Sequence, residues 1–127
     1  MKDILQEIVA YKRVEVEQQK QVGAPQELYA KVECLMADGI NVRSMSRSLA
    51  GSPYGIIAEF KRKSPSKGWI HEDAMPMDVV PKYAAGGASA LSILTDEKYF
   101  GGTLDFIPQV RASVDIPILR KEFIIDE

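Results

Sequence analysis

Residues 54–60 read YGIIAEF, residues 88–94 ASALSIL and residues 115–123 DIPILRKEF. Each run is short, strongly apolar and rich in β-branched residues, and each is bounded by glycine, proline or aspartate. Between them lie VVPKYAAGG (79–87) and LDFIPQVRAS (104–113), both of helical character. Near-continuous apolar strands alternating with helices predict parallel strands covered by helices, an α/β fold.

A repeat sharpens this reading. Asp78-Val-Val-Pro81 and Asp105-Phe-Ile-Pro108 share the pattern D-x-x-P 27 residues apart, and the same offset carries Leu91 onto Ile118. In this register each aspartate is expected to cap a helix N-terminus, with each proline at the third helical position, where a missing N–H is harmless. Repeated βα units of this size build a β/α barrel or a doubly wound sheet. Gly86-Gly87 reads as a helix C-cap and Gly101-Gly102 as a turn after the second strand.

Upstream, residues 1–50 read as a helical extension, and 51–127 as three strands and two helices. Ile4, Leu5, Ile8 and Val9 form one stripe of a first helix, with Lys12, Arg13, Glu15, Glu17 and Lys20 on its remaining surface. Gly23 and Pro25 end it. A second helix is expected over 25–36, with Leu28, Val32 and Leu35 on one face and Cys34 as a small core residue. Ser44–Ser48 suggests a solvated linker or a short helix.

Composition excludes several classes of function. With 46% hydrophobic and 27% charged residues the chain is neither disordered nor of low complexity. A net charge of −2 gives no global field for nucleic acid or anionic membrane. No apolar run approaches the roughly 20 residues of a membrane span. One cysteine excludes an internal disulfide framework and suggests a reducing, cytoplasmic setting. His71 has no second histidine or usable cysteine to complete a metal site.

Catalytic residues of parallel βα folds sit at the C-terminal ends of the strands. The first run leads into Glu59-Phe60-Lys61-Arg62-Lys63-Ser64-Pro65-Ser66-Lys67-Gly68, and the third ends in Leu119-Arg120-Lys121-Glu122-Phe123. Glu59 and Lys61 share strand parity, so their side chains are expected on one face. Ionisable groups at such positions must pair or meet a charged ligand. Several lysines at one mouth suit a substrate bearing phosphate or carboxylate. Trp69 is expected to anchor the loop.

Three segments, IIAEFKRKSPSKG, YAAGGASALSILTDEKYFGG and DIPILRKEFIIDE, resemble in order and spacing the first half of indole-3-glycerol phosphate synthases. The resemblance implies the N-terminal portion of a (β/α)₈ barrel that closes an indole ring on a phosphosugar substrate. It implies that Lys121 is the general acid, that Lys61 binds substrate anions and assists proton transfer, and that Glu59 positions both. Ser64 and Pro65 would line the anthranilate end, and Phe123 would pack on the substrate ring. No cofactor or metal is implied. Such a barrel takes about 250 residues, so a general-base glutamate and a glycine-rich phosphate site are expected outside these 127 residues. The chain alone is expected to be inactive, with open sheet edges that favour self-association or pairing with the complementary half. The alternatives are a non-catalytic half-barrel module and another phosphosugar barrel such as phosphoribosylanthranilate isomerase.

Overall fold

In the computed structural model, which describes residues 3–127, the Asp3 carboxylate accepts the Leu5 N–H at 3.0 Å and starts helix α1, Ile4–Val22. Gly23 ends α1, and Pro25 opens α2, Pro25–Asp38, at the position where a proline costs no hydrogen bond. Gly39, at φ 80°, closes α2. The chain divides into two compact units. One takes in the residues through Val42 together with Phe123–Glu127, and the other is Arg43–Glu122.

In the first unit Lys20 and Asp126 form an ion pair at 2.8 Å. Two expectations fail there. Lys12, assigned to the solvent side of α1, is 3% exposed, because it lies one turn beyond buried Ile8 on the same face; its ammonium meets Glu15 at 3.2 Å. Cys34 is exposed and no residue of α2 is buried. Periodicity places Leu28, Val32 and Leu35 on a shared face, but burial needs an element packed over that face.

The second unit opens with the short helix α3, Met45–Ala50, capped by the Ser44 hydroxyl, which accepts the Arg47 N–H at 3.2 Å. The chain then runs β1 (Ile57–Phe60), a small antiparallel pair β2 (Lys63–Ser64) and β3 (Gly68–Trp69), α4 (Pro76–Ala85), β4 (Ala90–Leu94), α5 (Phe106–Arg111) and β5 (Ile118–Lys121). The three long strands form one parallel sheet in the order β1-β4-β5. Leu91 pairs with Ile118 in register, as the 27-residue offset requires.

The strands are shorter than the apolar runs that announced them, because residues such as Tyr54 and Asp115 precede the ladder, and Glu122 and Phe123 follow it. The two D-x-x-P motifs are also not equivalent. Met75, not Asp78, occupies the N-cap of α4, so Pro81 falls inside the helix. Asp105 does stand at the N-cap of α5, yet its side chain makes no capping bond. Its backbone is already helical, φ −62° and ψ −19°, whereas a capping side chain needs an extended residue to reach back.

Strand alternation divides the sheet into two faces. Ala58, Phe60, Leu91, Ile93 and Ile118 pack with Val80 of α4 and with Phe106 and Val110 of α5 to form the core. The opposite face carries Ile57, Glu59, Ser92, Leu119 and Lys121, of which Ile57 and Leu119 stay 45% and 43% exposed. This is an incomplete barrel: three strands with helices outside, two open edges, and an inner face buried along β4 but exposed along β1 and β5. Among the described residues no helix is long and apolar enough to cross a membrane.

The turn after β4 depends on glycine, most sharply at Gly102. The Gly102 N–H donates to the Asp96 carbonyl at 2.8 Å, and a Cβ on Gly102 would overlap the Leu94 carbonyl oxygen at the strand end. Because that neighbour is backbone, Gly102→Ala should destabilise the unit by about 1–3 kcal/mol. Urea unfolding of the variant and the parent measures the difference; equal midpoints would show that the loop moves aside freely.

Candidate active site

Glu59 lies near the C-terminal end of β1, and its register partner on β4 is Ser92. Lys121 ends β5. With the central strand between them, these residues come together on the inner face of the sheet. The Lys121 ammonium donates to Glu59 Oε2 at 2.8 Å, and the Ser92 hydroxyl donates to the same oxygen at 3.0 Å. Lys61, one residue past β1, stands 3.9 Å from Oε1. One carboxylate therefore gathers two cations and a hydroxyl, as shared strand parity predicted for Glu59 and Lys61.

The electrostatics follow from this arrangement. Burial pushes the Glu59 carboxyl up, but the hydrogen bonds from Lys121 and Ser92 and the charges of Lys121 and Lys61 outweigh it, leaving the group below its ordinary 4.5. A folded-state value below the unfolded one stabilises the fold above the unfolded value, and that contribution disappears as pH falls through the folded value. The Glu59–Lys121 pair should therefore persist at pH 4.5 and break only in more acidic solution. Unfolding free energies measured from pH 6 downward should show an acid-side slope that Glu59→Gln flattens; an unchanged slope would mean that the pair adds no stability.

The loop after β1 is tied down from several sides. Ser64 is 8% exposed, and its hydroxyl accepts the Lys67 N–H at 3.2 Å, so it shapes the turn in which Pro65 is exposed. The Arg62 guanidinium donates to the Gly101 carbonyl at 2.9 Å and lies 5.5 Å from the Trp69 ring centre and 5.3 Å from that of Phe106. Lys63 donates to the Lys98 carbonyl at 3.1 Å. Trp69 rests against Gly101, where a Cβ would stand 2.6 Å from the ring; it anchors the loop as expected. On the β5 side, Arg120 donates to the Thr95 hydroxyl at 3.2 Å.

The structure thus brings together Glu59, Lys61 and Lys121, and sets Ser64 and Pro65 in the adjoining loop. Phe123 follows β5 and belongs to the other compact unit. Ser92 escaped the sequence reading. Its signal was a lone hydroxyl in the otherwise apolar run ALSIL, but nothing local says that residue 92 faces residue 59.

Parallel strands joined by helices, with ionisable groups at the C-terminal strand ends on the inner face, make up three strands of an incomplete (β/α)₈ barrel. Comparison with known proteins narrows the class. The family model described as indole-3-glycerol phosphate synthase matches residues 5–127, and the chain belongs to that family. It is 58% identical over its whole length to an indole-3-glycerol phosphate synthase of Bacteroides thetaiotaomicron, covering 47% of that protein. It is 40% identical to the enzyme of Azospirillum brasilense over 99% of this chain and 48% of the relative. For that of Neisseria meningitidis serogroup B the identity is 41%, over 100% of this chain and 49% of the relative. The chain spans about half the length of these curated relatives.

Proposed function

We propose that this chain supplies the first three strands and part of the active site of an enzyme that closes an indole ring. The reaction converts 1-(2-carboxyphenylamino)-1-deoxyribulose 5-phosphate to indole-3-glycerol phosphate, carbon dioxide and water, a step of tryptophan biosynthesis in the cytoplasm. The observation that carries the reading is the Glu59 carboxylate holding Lys121 at 2.8 Å and Lys61 at 3.9 Å at the ends of parallel strands.

Lys121 acts as the general acid. As the carboxyl-bearing ring carbon attacks the ketone carbon, the ketone oxygen gains negative charge and takes the Lys121 proton. Loss of the carboxyl group as carbon dioxide and then of water leaves the aromatic ring. Lys61 binds substrate anions and assists proton transfer. Glu59 keeps the two ammonium groups, which would otherwise repel each other, at one site. Ser64 and Pro65 line the anthranilate end. The substrate-phosphate site and the general base come from strands that add to the open edges of β1 and β5, where the half-exposed side chains of Ile57 and Leu119 favour a covering partner. No metal or organic cofactor is needed, because general acid–base chemistry and electrostatic stabilisation supply the step.

Indole fluorescence tests this. The 127-residue chain incubated with substrate should give no turnover, and turnover should appear when the remaining strands of the B. thetaiotaomicron relative are added as a separate polypeptide. An assembled complex that still leaves the substrate untouched would overturn the reading.

A further inference from the structure

We infer that Ser92 is the positioning residue of the site, holding the Glu59 carboxylate in place when Lys121 turns away from it toward substrate. The inference deepens the proposed function and rests on it for the movement of Lys121, but the contact itself stands on geometry.

Ser92 lies in the middle of the central strand, 3% exposed, in the run ALSIL, all of whose residues are buried. A hydroxyl there costs free energy unless it is hydrogen-bonded. It has one proton to donate, and that proton goes to Glu59 Oε2 at 3.0 Å. The two other groups on the carboxylate are of a different kind. Lys61 and Lys121 reach it on long stems of four methylenes, and the Lys121 side chain is 53% exposed. Both can rotate away with little steric hindrance. Ser92 has far less reach: its Cβ is held by a strand paired on both edges, to Glu59 on one side and Leu119 on the other, and its hydroxyl lies only one bond beyond it.

The consequence appears during turnover. Lys121 is bound to Glu59, so it must leave that carboxylate to deliver a proton elsewhere. At that moment Glu59 loses its closest cation, and burial favours the neutral acid. The Ser92 hydrogen bond keeps Oε2 where Lys121 left it and favours the charged form, so the lysine returns to an unchanged partner. The charged groups facing the carboxylate within this unit are Lys121 and Lys61; the Ser92 hydroxyl is the neutral donor beside them.

The test reads Glu59 directly and needs no turnover. Carbon-13 NMR of the glutamate side-chain carboxyls, followed against pH in the 127-residue chain, gives the Glu59 midpoint, assigned with Glu59→Gln. Ser92→Ala should shift that midpoint upward, and Ser92→Thr, which keeps the hydroxyl, should restore it. The upward shift should recur in a Lys121→Ala background, where the lysine is absent. A midpoint that Ser92→Ala leaves unchanged in either background overturns the inference. Should Ser92→Ala not fold, Ser92→Cys keeps the side-chain shape with a slightly larger atom and weakens the donor, and the same shift or its absence decides. Because the readout is a titration, a shift seen in a chain whose assembled form makes no indole product would overturn the proposed function and leave the Ser92–Glu59 contact standing.

Discussion

Lys121→Ala in the assembled enzyme should lower kcat by about 10³-fold, within the range by which a positioned general acid accelerates a reaction. The effect should fall mainly on kcat, because the proton is delivered to an oxygen that becomes basic only as the ring carbon attacks. KM should change far less, since Lys61 remains to attract the substrate anions. Lys121→Arg should not rescue the rate. A guanidinium keeps the positive charge and the reach but does not release its proton near neutral pH. A Lys121→Ala enzyme that retains a tenth or more of the parent kcat would remove Lys121 from the role of general acid, and a KM effect alone would make it a binding residue.

Leu91→Ala should cost about 3 kcal/mol of folding stability, read as a lower urea midpoint at an unchanged slope. Leu91 is fully buried at the centre of the core, on the middle strand, between Phe60 of β1 and the helices α4 and α5. Truncating it removes buried methyl groups and leaves a cavity that two parallel neighbours and two helices cannot collapse into without breaking register. Against a total of about 5–15 kcal/mol for an ordinary domain, such a loss would unfold a measurable fraction of the chain. Leu119→Ala makes the contrast. Leu119 is on the opposite face and 43% exposed, so its truncation in the isolated chain should cost well under half as much. Equal losses at the two positions would mean that the inner face is covered after all.

The fold was legible because its signals are local. Short apolar runs with helical stretches between them set the order β1, α4, β4, α5, β5, and the 27-residue offset placed Leu91 opposite Ile118. Glu59, Lys61 and Lys121 stood out because charge at the end of an apolar strand is costly without a purpose. The helix starts were less legible. Asp78 and Asp105 carry the same motif, yet neither side chain caps its helix, since the backbone path of the preceding loop decides where the first turn begins. Lys12 and Cys34 show the same limit for burial: a face is set by periodicity of the chain, but its covering is set by whatever packs against it.

Sequence alone was sufficient for the parallel βα order, for the residues that bring charge to the strand ends and for the family they resemble. Each of these rests on residue types at short spacing, where chain geometry leaves few options. Tertiary structure was needed to join residues 33 and 62 positions apart, Ser92 and Lys121, on one oxygen of Glu59. It was also needed to show that Arg62 bonds to the Gly101 carbonyl, and that Ile57 and Leu119 stay half-exposed at the sheet edges. Such contacts depend on strand register and loop closure, and a hydroxyl within an apolar run acquires a role only when the neighbouring strand brings it a partner.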